Sequence, residues 1–247
     1  MMRAISVVGL FIFLCLNTVA QGQPNELLKY NFRFGIIKAG KATFIARDTT
    51  FKNLPTTHLS VRGRTTGLVD ALYKVDDRYE SIIDNQTKLP YKAIRNVRER
   101  KYRYYNEVTF DQEKHIAVSQ KSGERVIPAK LNDMLSMFFY FRQDNLLSQL
   151  QVGDTIPVPL WHADKINKIN IKYLGIKPLK TKFGKINCHV IAPQFKKGKL
   201  FKKTDAVTLW LSNDANMVPL LLELDIRYGA LRCEIIEYKR KNGVHLK

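Results

Sequence analysis

A run of lysines at 196–203 is the part of this sequence best suited to bind a charged surface. The run reads KKGKLFKK, so Leu200 and Phe201 stand between basic residues. Its lysines are Lys196, Lys197, Lys199, Lys202 and Lys203. Lysines beside exposed apolar side chains suit a membrane surface or the headgroups of anionic lipids. Charged residues also protect sheet edges from aggregation, so a solvated loop is the alternative interpretation.

A second basic cluster interleaves arginines with tyrosines. It contains Arg95, Arg98, Arg100, Lys101 and Arg103, together with Tyr102, Tyr104 and Tyr105. A guanidinium group donates hydrogen bonds in pairs, which suits phosphate or sugar groups. The alternative is again a solvated strand edge.

The adjacent acids Asp76 and Asp77 are the candidates for acid–base chemistry. On a strand, Asp77 would share a face with Val75 and Tyr79. An acid that faces inward has a raised pKa unless it is paired, and such acids are enriched in functional sites. A break in the strand, or an ion pair with an arginine, would explain the same pattern.

Motifs of the common enzyme classes are missing from the sequence. It contains no GxSxG, HExxH, CxxC, GxGxxG or GxxxxGK[ST], the motifs that mark nucleophiles, metal sites and phosphate loops. The histidines stand singly, at His58, His115, His162, His189 and His245. His162 and Asp164 lie two apart, where a solvated turn explains them better than a site. We expect no cofactor, no metal and no enzymatic activity.

The first residues have the three parts of a secretory signal. Arg3 gives a basic start, residues 5–16 are an apolar run, and Thr18-Val19-Ala20 supplies small residues for cleavage. The apolar run is too short to cross a bilayer, which needs roughly 20 residues. We therefore expect residues 1–20 to be removed and residues 21–247 to form a soluble periplasmic protein without a transmembrane segment.

The formal net charge of the whole sequence is +19. An exported protein rarely meets nucleic acid, so we expect no nucleic-acid partner. Anionic lipids and acidic envelope polysaccharides are available instead, and a basic surface attracts both at long range. The charge predicts such a partner and a peripheral membrane contact; charge that serves only solubility is the alternative.

Apolar and polar residues alternate along most of the chain, as in strands with one buried face. One face of the first strand carries Leu28, Tyr30, Phe32 and Phe34. Gly40 suits the bend of the hairpin that follows. The alternation predicts one domain with two β-rich halves, about 27–120 and 152–240. The fold class is mainly β: a strongly curved antiparallel sheet, or a partly open barrel or sandwich, with one helical insertion packed on it.

The period changes to that of a helix beyond residue 130. Apolar residues lie on one helical face at Leu131, Met134, Leu135, Phe138 and Phe139. The pattern predicts a helix over 131–142 and a second short turn over 145–150. This segment, about 130–150, joins the two halves and packs on the sheet.

Cys188 and Cys233 fall among the apolar residues of their strands. Each is therefore a buried free thiol, which is common for cysteine, or the two form a disulfide in an oxidising compartment. The first interpretation is favoured.

Three functions are compatible with these patterns. The first is a binding or carrier module for an apolar or anionic envelope component, which holds apolar chains against Tyr30, Phe32, Phe34 and the helix. The second is a structural or interaction protein of the cell envelope without a small ligand. The third, placed last because no nucleophile or metal motif occurs, is a hydrolase that uses Asp77 or another inward-facing acid.

The order of several segments resembles a known family. In sequence order they are GIIKAGKATF, LYKVDDRYESIIDNQTKLP, NDMLSMFFYFR, VGDTIPVPL, KFGKINCHVIAP and LWLSNDANMVPLLLELDIRYGAL. They resemble the domain-of-unknown-function family 3108 of exported bacterial proteins, from about Leu27 to Tyr238. The resemblance implies an export signal and a mainly β fold, and it brings no activity and no site residues. In shape, such a sheet wrapped over a helix is similar to periplasmic lipoprotein-localisation carriers, and a shared shape does not establish a function.

Overall fold

The computed structural model describes residues 25–142, 146–194, 204–226, 229–241, 243 and 245–246. Its strands are β1 (Glu26–Phe34), β2 (Ile37–Phe51), β3 (Leu54–Thr65), β4 (Asp76–Asp84), β5 (Pro90–Glu99), β6 (Tyr102–Asp111), β7 (Ile116–Ser119), β8 (Gly123–Val126), β9 (Thr155–His162), β10 (Lys165–Thr181), β11 (Gly184–Pro193), β12 (Val207–Ser212), β13 (Pro219–Ile226), β14 (Gly229–Arg240) and β15 (His245–Leu246). The helices are α1 (Gly67–Leu72), α2 (Ser136–Tyr140) and a 3-10 helix at Leu146–Gln149. No helix in these ranges is long and apolar enough to cross a membrane.

One antiparallel sheet contains all of these strands and consists of two meanders. Strands β1 to β8 follow one another in the first meander, and β9 to β14 follow one another in the second. The meanders meet where β1 pairs with β14, with Phe32 opposite Cys233. Strands β8 and β9 lie at the two ends of this order, and the hydrogen bonds of the described strands do not close the sheet into a barrel. The mainly β, partly open fold predicted from the sequence is confirmed.

The segment between β8 and β9 fills the inner face of the sheet. Leu131 packs in a cluster with Phe110 of β6 and Trp161 of β9, whose rings meet edge to face at 6.0 Å between centroids. Leu135 packs with Leu59 of β3 in a second cluster. The side chains of this segment therefore join strands from both meanders into one core.

The helix in this segment is shorter than predicted. Within the predicted range 131–142, which the structure describes completely, only Ser136–Tyr140 is α-helical, and Asn132 forms a parallel bridge with Leu160 of β9. The Asp133 carboxylate accepts the backbone N–H groups of Leu135 (2.7 Å) and Ser136 (2.8 Å). The Ser136 hydroxyl in turn accepts the Asp133 N–H at 2.9 Å, an exchange like that of a capping box. The helix begins after these contacts, so the apolar residues at 131–135 pack from irregular backbone.

The first hairpin bends at Gly35 rather than at Gly40. Gly35 has a φ of +56° in the two-residue turn between β1 and β2. Gly40 lies inside β2, opposite Thr65 of β3. A Cβ atom at Gly40 would lie 2.4 Å from the carbonyl oxygen of Arg64. Gly40 is thus required for a close approach of two strands, and its predicted place in the turn is wrong.

Helix α1, which the sequence did not predict, leaves apolar side chains exposed. Leu68 and Leu72 are 84% and 80% exposed. The helix is tied to β2 by a bond from the backbone N–H of Thr66 to the carbonyl of Ala39, at 3.1 Å. Ile36, in the turn before β2, is 92% exposed. All three side chains lie at the end of the sheet where β1 turns into β2.

Candidate functional site

An apolar cavity of about 230 Å³ lies between the inner face of the sheet and the segment that connects β8 to β9. The sheet lines it with Leu28, Tyr30, Phe32, Ala42, Phe44, Val61, Tyr79, Leu209, Leu211, Pro219, Leu221, Leu222 and Cys233. The connecting segment lines it with Met134, Leu135, Phe138, Phe139 and Arg142. The rings of Phe44 and Phe139 stack across it, 6.0 Å apart with an interplanar angle of 23°. We call this space the apolar cavity.

Two of the three aromatic residues predicted for an apolar site line the cavity. Tyr30 and Phe32 lie in its wall, and the Tyr30 hydroxyl donates to the carbonyl of Pro219 at 2.8 Å. Burial is the main cause that raises the pKa of Tyr30 well above its ordinary value. Phe34 lies outside the cavity and packs against Gly229, where a Cβ would lie 3.0 Å from its ring. A register shift between Phe32 and Arg33 separates it from the residues before it.

A buried ion pair lies at one end of the apolar cavity. The guanidinium of Arg142 binds the Glu26 carboxylate with two hydrogen bonds of 2.8 Å and also donates to the carbonyl of Asn216. The side chains of Arg142 and Glu26 are 14% and 6% exposed. The hydrogen-bond donors of Arg142 are therefore in use, and the charge of Glu26 balances its positive charge. Arg142 forms part of the cavity wall as half of an ion pair.

One lateral row of paired residues crosses the inner face of the sheet. From β1 to β6 its members are Leu28, Phe44, Val61, Tyr79, Arg95 and Asn106. Its first four members line the apolar cavity. Residues opposite each other in an antiparallel sheet point to the same side. The row therefore leads from aliphatic and aromatic side chains directly to a guanidinium group.

Arg95 lines a second, smaller cavity of about 50 Å³ next to the apolar one. Its guanidinium carbon lies 4.8 Å from the ring centre of Tyr104 and 5.9 Å from that of Tyr79. Its Nε is buried and has no hydrogen-bond partner. His162 lines the same space, and burial, followed by the charge of Arg95, lowers its pKa. We call this space the Arg95 cavity.

Asp164 anchors the far wall of the Arg95 cavity. It lies with Ala163 in the two-residue turn between β9 and β10, where both residues have positive φ, as in a type I′ hairpin. Its carboxylate accepts hydrogen bonds from four side chains: Tyr104 (2.8 Å), Asn106 (2.8 Å), Ser119 (2.6 Å) and Ser122 (3.3 Å). Asp164 therefore ties β9–β10 to β6 and β7 across the open side of the sheet and positions the ring beneath Arg95.

The sequence placed Arg95 only in a general basic cluster. The structure separates it from Arg98, Arg100, Lys101 and Arg103, which are all exposed. The sequence contains a signal for this difference. Arg95 stands two residues from Ala93 and two from the buried Val97, so on a strand it lies on the same face as these apolar residues. The pair His162 and Asp164, interpreted as a solvated turn, instead lies in the wall of the cavity.

The acids at 76 and 77 have structural partners. Asp76 forms a two-bond pair with Arg62 on the surface. Asp77 accepts the backbone N–H of Arg98 at 2.8 Å, and burial raises its pKa. Within the described ranges no three His, Cys, Asp or Glu side chains are grouped to hold a metal ion.

The remaining predictions from the sequence concern the two cysteines, the lysine run and the signal sequence. Cys188 and Cys233 are both buried and have free thiols in the structure. The loop with Lys196, Lys197, Lys199, Lys202 and Lys203 lies outside the described residues. The same holds for the signal sequence at 1–20.

Comparisons with known proteins identify a family and a fold. No curated protein matches this sequence. The fold is similar to the crystal structure of a beta-barrel-like protein of domain of unknown function DUF1849 from Brucella abortus, with a TM-score of 0.60, 10% identity, and coverage of 88% of this chain and 98% of that one. A DUF1089 family protein from Pseudomonas aeruginosa covers 88% and 95% of the two chains at 9% identity, with a TM-score of 0.34. A family model described as a protein of unknown function, DUF3108, matches residues 29–236, and the chain therefore belongs to the DUF3108 family.

Proposed function

We propose that this protein is a periplasmic binding module that holds one apolar chain of a cell-envelope component in the apolar cavity. The observation that carries the proposal is the cavity itself, of about 230 Å³ and lined almost wholly by apolar side chains. A dry engineered cavity of about 150 Å³ already binds benzene. Pockets for drug-sized ligands begin near 300 Å³, so the space fits a single short chain or ring system.

The cavity is suited to a removable occupant. Its roof is the connecting segment, and in the described residues of that segment, 127–142 and 146–154, the one α-helix is the five-residue Ser136–Tyr140. Its floor is a continuous ladder of strands, whereas the helix of the roof contacts this floor through side chains, as Phe139 does with Phe44. A chain enters such a site by displacing apolar side chains and needs no polar partner along its length.

The location and the surface contact belong to the same proposal. Cleavage after Ala20 would deliver residues 21–247 to the periplasm, and the lysines of 196–203 would hold the protein near anionic lipid or polysaccharide. Intact mass of protein from the periplasmic fraction tests the first part. A mass that retains residues 1–20 would overturn the periplasmic assignment.

A cavity-filling substitution tests the binding function. Ala42 lines the cavity, and Thr43, the next residue of β2, lies in the outward row opposite Lys29 and Arg62. Ala42→Leu places three extra carbons in the cavity and should weaken binding of a fluorescent apolar probe about 10-fold or more, because each excluded methylene is worth roughly 0.8 kcal/mol. Thr43→Leu, the matched control, should leave probe binding unchanged.

Lipids retained by the purified mature protein, identified by mass spectrometry, would name the natural occupant. If the wild-type protein retains no lipid and binds no apolar probe, the protein has no small ligand. It would then be a structural or interaction protein of the envelope.

A further inference from the structure

We propose that Arg95 binds the anionic head group of the ligand whose apolar chain lies in the apolar cavity. The ligand class is then a single-chain amphiphile with a carboxylate or a phosphate at one end. The inference rests on the proposed function and adds the chemistry and the orientation of the occupant: chain among Tyr30, Phe32 and Phe44, head group at Arg95.

The two cavities are neighbours with a shared wall. Tyr79, Met134 and Leu135 line both the apolar cavity and the Arg95 cavity. Tyr79 is also the member of the inner row that stands directly before Arg95. A ligand that extends along this row passes from Phe44 and Val61 over Tyr79 to the guanidinium group without leaving the inner face.

Arg95 forms no salt bridge among the described residues, and the one carboxylate whose pKa its charge lowers is that of Asp77. The contacts of Arg95 are the rings of Tyr79 and Tyr104, and its Nε is buried without a hydrogen bond. A buried donor that has lost water and gained no partner is costly. An arriving anion would satisfy it, and a guanidinium donates to a carboxylate or phosphate through two parallel bonds.

The opposite end of the apolar cavity does not offer this chemistry. Arg142 lines it there, and its guanidinium already binds Glu26 with two hydrogen bonds of 2.8 Å. An anionic head group at Arg142 would have to displace a buried carboxylate. The difference between the two arginines therefore fixes the direction in which an amphiphile lies.

The acids around Arg95 accept hydrogen bonds from groups other than its guanidinium, and the first of them, Asp77, accepts the backbone N–H of Arg98 at 2.8 Å. Asp164 shares the cavity, and its carboxylate is occupied by four hydroxyl and amide donors. Glu80 and Asp133 also line the space; Glu80 bonds His58 at 2.7 Å, and Asp133 accepts two backbone N–H groups and the Ser81 hydroxyl. Each acid thus has its own donors. His162 lines the same space and, as a neutral ring, carries one N–H group that can donate a hydrogen bond to the head group.

The test compares three ligands that share one chain: decanoic acid, decyl phosphate and 1-decanol. Affinities are measured by displacement of a fluorescent apolar probe from the full mature protein at neutral pH. Wild-type protein should bind at least one of the two anions about 10- to 100-fold more tightly than the alcohol, the usual strength of a charge-assisted hydrogen bond. Which anion binds more tightly distinguishes a carboxylate from a phosphate ligand.

Arg95→Gln should remove this preference while 1-decanol binds as to the wild type, which also shows that the variant is folded. Arg98→Gln is the matched control, because Arg98 lies on the same strand with its side chain exposed. If the acid, the phosphate and the alcohol bind equally to the wild type, or if Arg95→Gln keeps the preference, the head-group site is wrong and the apolar cavity stands. If none of the three ligands binds, the proposed function fails and the inference with it.

Discussion

Arg95 lies directly opposite Tyr79 in the ladder between β4 and β5, with its guanidinium carbon 5.9 Å from the centre of the tyrosine ring. A guanidinium held against aromatic faces keeps a fixed plane at a low cost in side-chain freedom. Tyr79 is the last aromatic residue of the row before the charge. The pair therefore marks the boundary between the part of the inner face that suits hydrocarbon and the part that suits an anion.

The ion pair of Arg142 and Glu26 should be a large contributor to the stability of the native fold. Glu26→Gln leaves a buried guanidinium without its counter-charge, which typically costs about 3–5 kcal/mol in the free energy of unfolding. Urea denaturation followed by circular dichroism measures this cost. Asp76→Asn, which breaks the exposed pair with Arg62, is the control and should cost about 1 kcal/mol or less. If both variants lose the same free energy of unfolding, the ion pair between Arg142 and Glu26 is not buried in the way the structure shows.

Both cysteines should be unreactive in the folded protein. Burial raises the pKa of Cys188 to about 11 and that of Cys233 to about 12, and the thiolate is the reactive form. Iodoacetamide at pH 8 should therefore label neither residue in native protein and both after unfolding in urea. An intact mass that shows two free thiols before labelling would agree with the structure. A mass lower by two hydrogens in protein from an oxidising compartment would show a disulfide instead.

Asp164 should make the free energy of unfolding depend on pH. Burial acts to raise the pKa of Asp164, but the hydrogen bonds from Ser119, Tyr104 and Asn106 together outweigh it, and the pKa lies below its ordinary value. A carboxyl group whose folded pKa is lowered stabilises the protein above its unfolded pKa, near 3.9 for aspartate. This contribution is lost as the pH falls through the folded pKa.

The comparison that isolates this effect is wild type against Asp164→Asn. The difference in free energy of unfolding between the two should be largest above about pH 5 and should begin to shrink below about pH 4, where the unfolded chain takes up the proton; it should be smallest below the folded pKa, where both states are protonated. Asp76, Asp84 and Asp111 also have lowered pKa values, so both proteins lose stability in acid. A difference that stays constant from pH 7 to pH 3 would show that the charge of Asp164 is not involved.

The lysine run should control binding to anionic membranes. Changing all five of its lysines to glutamine should weaken binding to anionic liposomes by orders of magnitude, because each lysine near such a surface is worth roughly 1 kcal/mol. The changed positions are Lys196, Lys197, Lys199, Lys202 and Lys203. The matched control changes Lys165, Lys168, Lys172, Lys180 and Lys182. Equal weakening in both sets would mean that the net charge acts diffusely, and no weakening in either would remove the membrane contact.

The alternation of residues predicted the strands and the inner face of β1 because each strand satisfies the same period of two. It could not predict that β1 pairs with β14, since partners separated by some two hundred residues leave no local mark in either strand. Gly40 illustrates the same limit. A glycine is needed there because the carbonyl of Arg64 on the neighbouring strand approaches it closely. The residues next to Gly40 in the sequence do not indicate this contact.

The region 131–135 shows why the helix was predicted too long. Its apolar spacing suits a helix, but Asn132 bonds to β9 and the Asp133 carboxylate accepts the Ser81 hydroxyl of β4, contacts that only the folded sheet supplies. Tertiary contacts override local periodicity there.

The inward position of Arg95 could be predicted from the sequence, because Arg95 stands between Ala93 and Val97 on the same face of a strand. Its partners, Tyr79 on β4 and His162 at the end of β9, could not.

The pairing of β1 with β14 has a consequence for the order in which the chain can fold. The backbone N–H of Lys241 donates to the carbonyl of Asn25 at 2.9 Å, so the start of the first strand and the end of the fourteenth are bonded to each other. During synthesis from the N-terminus, β1 appears before the other described strands, and its second neighbour, β14, appears only after β2 to β13. Until then one side of β1 is an unpaired strand edge that can recruit other chains. A chain with this topology therefore cannot complete its sheet strand by strand as it emerges, and it needs protection from aggregation until β14 arrives.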